Sequence, residues 1–208
     1  MDGSYFDREY FECGLESGKS AYQNYRWLPD FTLPMTVAMI DYLGIERGQT
    51  VLDWGCSKGY LVKAFRLLGR PAFGVDISPY ALKNIDPAVE KYCCHVEFLM
   101  KYPFDFCIAK DVFEHIPINI LSNVLDRIDA KTLFAIIPLG KDGEYNAFAN
   151  NIDKSHVICE DKDWWISFFK KNGWNIIIYS NEIDGIKESY RDVPEAHGFF
   201  TLKRSKFC

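Results

Sequence analysis

The chain has 208 residues, 48% of them hydrophobic, and a formal net charge of −5. That is enough apolar material for one well-cored domain and too little for two large ones. The acidic balance excludes the broad basic face that a nucleic-acid backbone requires, and Lys203, Arg204 and Lys206 read as a solvated tail.

No apolar run approaches the roughly 18 residues of a membrane span, and the start, Met1-Asp2-Gly3-Ser4, lacks the basic and apolar parts of a secretory signal. The seven cysteines (13, 56, 93, 94, 107, 159 and 208) are scattered, with no Cys-x-x-Cys pair. They are expected to be reduced thiols of a cytoplasmic protein, without a metal site. The oligomeric state is left open.

Residues 1–31 are crowded with rings: Tyr5, Phe6, Tyr10, Phe11, Tyr22, Tyr25, Trp27 and Phe31. They show no clean helical or strand period, which suits a cap packed on the core or a lid over a pocket. A helix is predicted over 32–43, with Pro34 near its first turn and Val37, Ala38, Ile40 and Leu43 facing inward. Gly44 closes it, so 1–44 forms a cap and helix ahead of a core spanning 45–208, the whole being one domain.

The core opens on Thr50-Val51-Leu52-Asp53-Trp54-Gly55-Cys56-Ser57-Lys58-Gly59-Tyr60. This is a short buried strand, an acid, a glycine turn and a new helix whose apolar face is Leu61, Val62, Ala64, Phe65 and Leu68. A second strand over 72–77 carries Asp76 near its end. Strand, glycine turn, helix and strand with a terminal carboxylate make a nucleotide-binding βαβ unit. The glycine spacing is neither Gly-x-Gly-x-x-Gly nor a phosphate-cradling loop, which disfavours a nicotinamide oxidoreductase. An acid just before the turn suits the cationic end of a ligand.

Ser78-Pro79 starts a helix, with the hydroxyl as cap and proline in the first position. Strands are expected over 93–99, 104–109 and 132–139, and a helix with Ile120, Leu121, Val124, Leu125 and Ile128 on one face. Residues 140–157 are polar and aperiodic, as functional covers often are. A helix over 160–171 and strands over 174–180 and 198–203 complete the chain.

Val51-Leu52-Asp53-Trp54-Gly55-Cys56-Ser57-Lys58-Gly59-Tyr60, Gly74-Val75-Asp76-Ile77-Ser78 and Val112-Phe113-Glu114-His115-Ile116 resemble motifs of class I S-adenosylmethionine-dependent methyltransferases. The family usually has glycine where this chain has Ser57. The resemblance covers roughly residues 45–180. It implies a Rossmann-like α/β fold, a seven-stranded mostly parallel sheet with helices on both faces and a final antiparallel hairpin. It implies S-adenosyl-L-methionine as cofactor, held by Asp53, Gly55, Cys56, Ser57 and Gly59 at the methionine end, Asp76 at the ribose, Ile77 at the adenine, and Lys110 nearby. The position that usually recognises the adenine amine offers only Leu99, Met100 and Lys101.

For the chemistry, His156 is the first candidate base, within an Asp-x-x-His-Val segment (153–157) that resembles bacterial enzymes modifying sugars. His115 and Asp111 follow, at the end of the fourth strand. The alternative for His156 is a structural role, hydrogen-bonded to Asp153. The expected function is O-methylation of a small polar metabolite such as a sugar or sugar nucleotide. The alternative is a non-catalytic or regulatory protein that binds the same cofactor.

Overall fold

The computed structural model describes residues 2–99 and 101–204; Met100, Lys206 and Cys208 lie outside the described residues. Five parallel strands form the heart of a seven-stranded sheet: β1 (Val51–Trp54), β2 (Ala72–Asp76), β3 (Cys93–His95), β4 (Phe104–Lys110) and β5 (Ala130–Pro138). A small separate hairpin, β6 (Gly140–Lys141) and β7 (Glu144–Tyr145), follows. The chain then returns through β8 (Trp174–Ser180) and β9 (His197–Arg204). β9 lies antiparallel to both β5 and β8, so the sheet order is β3-β2-β1-β4-β5-β9-β8. This is the expected architecture.

The sheet is buried on both faces, which is why its central strands read as continuous apolar runs. Alternate residues feed two separate cores. Leu52, Cys107, Leu133 and Ala135 pack with Leu121 and Leu125 of helix α6 (Ile118–Arg127) and with Trp165 and Phe169 of α7 (Lys162–Lys171). Val51, Ile108, Phe134 and Ile136 pack on the other side, against Met35 and Met39 of α3 (Pro29–Leu43) and Val62 and Phe65 of α4 (Tyr60–Leu67). The strand order reverses between β1 and β4, and in open α/β sheets ligands sit beyond the carboxyl ends of the strands at such a point.

Several local expectations are corrected. α3 begins three residues earlier than predicted, with Pro29 in its first turn, so Pro34 falls inside it. Its buried residues are Thr32, Met35, Thr36, Met39 and Ile40, while Val37 is 42% exposed. β3 stops at His95, and a single 3-10 turn, Val96–Phe98, replaces the rest of that strand. The polar stretch after β5 holds the β6–β7 hairpin and a 3-10 turn, Phe148–Asn151.

The N-terminal segment is not aperiodic coil. Two short helices, α1 (Arg8–Glu12) and α2 (Gly14–Ser17), set Tyr10 and Phe11 into an aromatic cluster against Ala81 of α5 (Pro79–Lys83). Two polar clamps hold it there. Ser78 Oγ donates to the Phe6 carbonyl at 2.5 Å. The nearly buried Lys58 ammonium donates to Glu12 Oε1 at 2.5 Å and to the Tyr25 carbonyl at 2.8 Å. Glu12→Ala leaves that ammonium without its carboxylate, so we expect the unfolding free energy to fall by about 1–3 kcal/mol, the cost of leaving a buried polar group short of its partner. Urea titration followed by tryptophan fluorescence measures it.

Candidate active site

The glycine turn between β1 and α4 is stapled to β2, because the Gly55 and Cys56 amides both donate to the Val75 carbonyl, at 2.8 and 2.9 Å. Gly55 sits at φ +83°, and a Cβ there would lie 2.5 Å from Val112 Cγ2, so only glycine fits. Ser57, where the family usually has glycine, is also left-handed, at φ +50°. Its amide donates to Asp76 Oδ2 at 2.7 Å, and the Ser78 amide donates to Oδ1 at 2.7 Å. These bonds orient the Asp76 carboxylate and favour its ionisation, although burial has the larger influence and raises its pKa overall. Asp53 is 4% exposed. Burial, reinforced by the Asp76 charge and opposed by Lys110, pushes its carboxyl up to about 7.

A cavity of about 290 Å³ begins at this turn. Gly55, Ser57, Asp76 and Ile77 line one end, and Asp111, Val112 and His115, just past β4, line the other. Phe6, Tyr10, Phe11 and Tyr22 of the N-terminal segment complete the wall, so that segment both packs on the core and covers the cavity. Of the residues predicted for the site, Asp53, Cys56, Gly59, Lys110 and His156 do not line it. Cys56 is a buried packing residue, its thiol pushed up by its neighbour Cys93 and by burial. Gly59 caps α4 at φ +78°. Lys110 is paired with Asp111 at 2.7 Å.

Asp111 is left-handed too, at φ +55°, and Lys187 Nζ reaches it at 2.6 Å. Burial works against its ionisation, but Lys110 and Lys187 hold its carboxyl well below the usual carboxylate range. Lys187, from the loop between β8 and β9, had no signal in the sequence; it occupies a left-handed position usually given to glycine or asparagine.

The histidines form a second group. His115 Nδ1 is 2.7 Å from Ser155 Oγ, and Ser155 Oγ in turn donates to Asp153 Oδ1 at 2.5 Å. The Tyr10 hydroxyl donates to Asp153 Oδ2 at 2.7 Å. It is therefore His115, through Ser155, whose side chain is tied to Asp153; His156 joins it only through a long backbone contact. The His115 and His156 rings meet edge to face at 4.6 Å. Burial and the neighbouring His156 lower His115 to about 4, and burial also lowers His156. Between them lies Glu114, 0% exposed, with neither carboxylate oxygen hydrogen-bonded. In the sequence Glu114 stands out only as part of the Val112–Ile116 motif, with nothing in its residue type to mark a role.

Residues 52–129 match the family model described as a methyltransferase domain. The ribosomal protein L11 methyltransferase of Burkholderia ambifaria is 31% identical over 124 residues, a match spanning 58% of this chain but 40% of that protein. The chain thus spans less than half the length of the curated relatives it matches. An S-adenosylmethionine-dependent methyltransferase from Clostridium acetobutylicum superposes with a TM-score of 0.61 at 11% identity, over 85% of this chain and 92% of its own. Magnesium protoporphyrin IX methyltransferase from Synechocystis, solved with bound S-adenosylhomocysteine, gives 0.59 at 17% identity, over 84% and 82%. At such identities the solved structures show a shared fold. Residues 52–129 thus carry a methyltransferase-domain match, and the sheet shares the fold of solved S-adenosylmethionine-dependent methyltransferases.

The strained turn yields a direct test. A left-handed conformation costs an L-residue roughly 1–2 kcal/mol, so Ser57→Gly should hold or raise the melting temperature. Ser57→Val, β-branched at the same φ, should lower stability by at least about 1 kcal/mol. Thermal melts of the two variants beside the parent decide it.

Proposed function

We propose that this protein transfers the methyl group of S-adenosylmethionine to an oxygen of a small polar acceptor, with sugars and sugar nucleotides the first class to test. One observation carries the reading: a single cavity joins the Gly55–Ser57–Asp76 turn to Asp111 and His115 beneath an aromatic cover. The turn end fits a nucleoside. Each Asp76 oxygen accepts one backbone N–H and keeps a lone pair free for a ribose hydroxyl. Ser57 Oγ beside it is buried without a partner. Ile77 and Val96 offer apolar surface on the same wall, suited to an adenine. Asp53, with Lys110 opposing Asp76, sets the charge behind the turn for a cationic methionine end.

The cofactor supplies an activated methyl on sulfur, so the protein's work is alignment and exclusion of water. Phe6, Tyr10, Phe11 and Tyr22 do the excluding. Asp111 and His115 face the region left for the acceptor. The groups able to deal with a hydroxyl proton there are clustered at Glu114, His115 and His156. The polar side chains of residues 140–157 give less support to a sugar than the sequence suggested. Asn151, Asp153 and Ser155 are spent on bonds within the protein. What favours a small acceptor is the aromatic cover on one wall of the cavity; a protein acceptor, as the names of the L11 relatives indicate for them, would need the N-terminal cover displaced.

Transfer of labelled methyl from S-adenosylmethionine to a panel of sugars, sugar nucleotides and a ribosomal L11-type protein tests the proposal. Cofactor binding with no labelled product would leave a binding or regulatory protein instead. Deleting residues 2–31 should abolish turnover and also weaken cofactor affinity, since their rings share the cavity wall with Asp76.

Two further outcomes follow from the carboxylates. Asp76→Ala should weaken S-adenosylmethionine binding by about 1.5–3 kcal/mol in calorimetry. Asp53, raised to about 7, is protonated below that pH, whereas a cationic ligand binds its anion. Affinity should therefore rise with pH through about 7, and Asp53→Asn should flatten the profile. Without ligand the sign reverses: the folded state holds the extra proton, so this contribution to stability is lost as pH rises from the usual carboxylate range through about 7.

A further inference from the structure

We propose that Glu114, His115 and His156 bind one divalent transition-metal ion of the Zn²⁺ class at the acceptor end of the cavity. His115 Nε2 and His156 Nε2 lie 3.8 and 3.9 Å from the same atom, Glu114 Oε1. One donor atom from each of the three residues falls within 4.8 Å of the others. Ligands about 2.0–2.2 Å from a zinc ion stand roughly 3.0–3.6 Å apart, so the two Glu114 contacts need a contraction of a few tenths of an ångström, and the pair of imidazoles, within 4.8 Å, closes further by rotation of the rings.

The independent observation is Glu114 itself. A carboxyl group that is 0% exposed, with both oxygens unbonded, has no partner among the described residues. Buried polar groups are ordinarily satisfied, and an ion between two imidazoles satisfies this one. His156 Nδ1 is likewise buried and unbonded.

The backbone holds the donors in place. Glu114 and His115 share the 3-10 turn Phe113–His115 that follows β4. The Val157 and Ile158 amides both donate to the Glu114 carbonyl, at 2.8 and 3.1 Å, clipping the His156 loop onto that turn. The next layer fixes the tautomer. Because Ser155 gives its proton to Asp153, its oxygen accepts from His115 Nδ1–H, and the Nε2 lone pair points to the ion. A carboxylate behind a ligating histidine is the usual support of such a site. Asp111 and Asp153 add negative charge around Glu114, and Lys187 opposes them from its pair with Asp111.

Two imidazoles and one carboxylate select zinc, iron, cobalt or manganese over magnesium and calcium. Three protein ligands leave a coordination position free, and His115 is the one of the three residues that lines the cavity. If the methyltransferase reading holds, an acceptor hydroxyl bound there loses its proton to water more readily. The O–CH₃ bond then forms as the S–CH₃ bond breaks, and sulfur keeps the electron pair.

The ion's binding does not depend on that reading, and the test separates them. Chelator-treated full-length protein is titrated with Co²⁺ and followed by visible absorption, with S-adenosylhomocysteine affinity measured on the same samples. We expect one Co²⁺ per chain, bound at least tenfold more weakly by Glu114→Gln and by His156→Gln, with S-adenosylhomocysteine affinity within twofold of the parent. Ser155→Ala, which only removes the support of His115, should weaken Co²⁺ about tenfold, at the low end of that range. Absence of stoichiometric binding overturns the proposal. So does an intense near-ultraviolet thiolate band, or variants that bind as the parent does. Loss of S-adenosylhomocysteine binding by the parent protein would instead overturn the functional reading while leaving the cobalt result standing.

Discussion

Parallel strands end at one edge of a sheet, and in this protein that edge gathers carboxyl groups. Asp53 and Asp76 end β1 and β2, and Asp111 and Glu114 follow β4. Four acids in a half-closed interior repel one another and lose hydration, so each needs its own solution. Asp76 is held by two backbone amides and Asp111 by two lysines. Asp53 and Glu114 have no such partner, and burial raises the pKa of both. The two unsatisfied acids are also those placed where a cationic ligand group and a cation would complete the site. The fold stores at this edge a charge pattern that cationic ligands would balance.

The N-terminal segment is bound to the same edge from outside. Tyr10 links it to Asp153 and so, through Ser155, to His115, while Glu12 links it to Lys58 inside the glycine turn. The glycine-turn end and the His115 end of the cavity therefore share one cover, anchored at both. A cover whose hydroxyl reaches the support of a site histidine couples its own seating to the geometry of that histidine. This coupling would not exist if the segment were only a hydrophobic cap.

Legibility in the sequence followed the range of the forces involved. β1, β4 and β5 were readable because burial and pleating are local and write continuous apolar runs; β8, an edge strand with Ile177 and Ile178 about half exposed, was readable from its β-branched residues. The Asp53-to-Asp76 unit was readable because its glycines answer to backbone geometry within a few residues. On α3, Ala38, Ile40 and Leu43 face inward as expected and only Val37 turns outward, while the start lies at Pro29 because a proline suits a first helical turn. α1 and α2, five and four residues long, are too short to show a period. The pairing of Glu114 with the His156 loop runs through main-chain amides, which leave no trace in residue type. Lys187 likewise takes a left-handed position that its side chain does not advertise.

The same reasoning bears on how a metal site would show in a sequence. Thiolate sites announce themselves by close pairs, because soft ligands are usually supplied by tight turns. A site of two histidines and one glutamate can be assembled from residues 41 apart, as at His115 and His156, provided something rigid joins the two segments. Here the joint is the Glu114 carbonyl, accepting two amides from beyond His156. The residue whose backbone holds the loop is the one whose side chain lacks a partner. Geometry and electrostatics thus meet at Glu114, and the position of His156 beside His115 is a consequence of that single peptide's bonds.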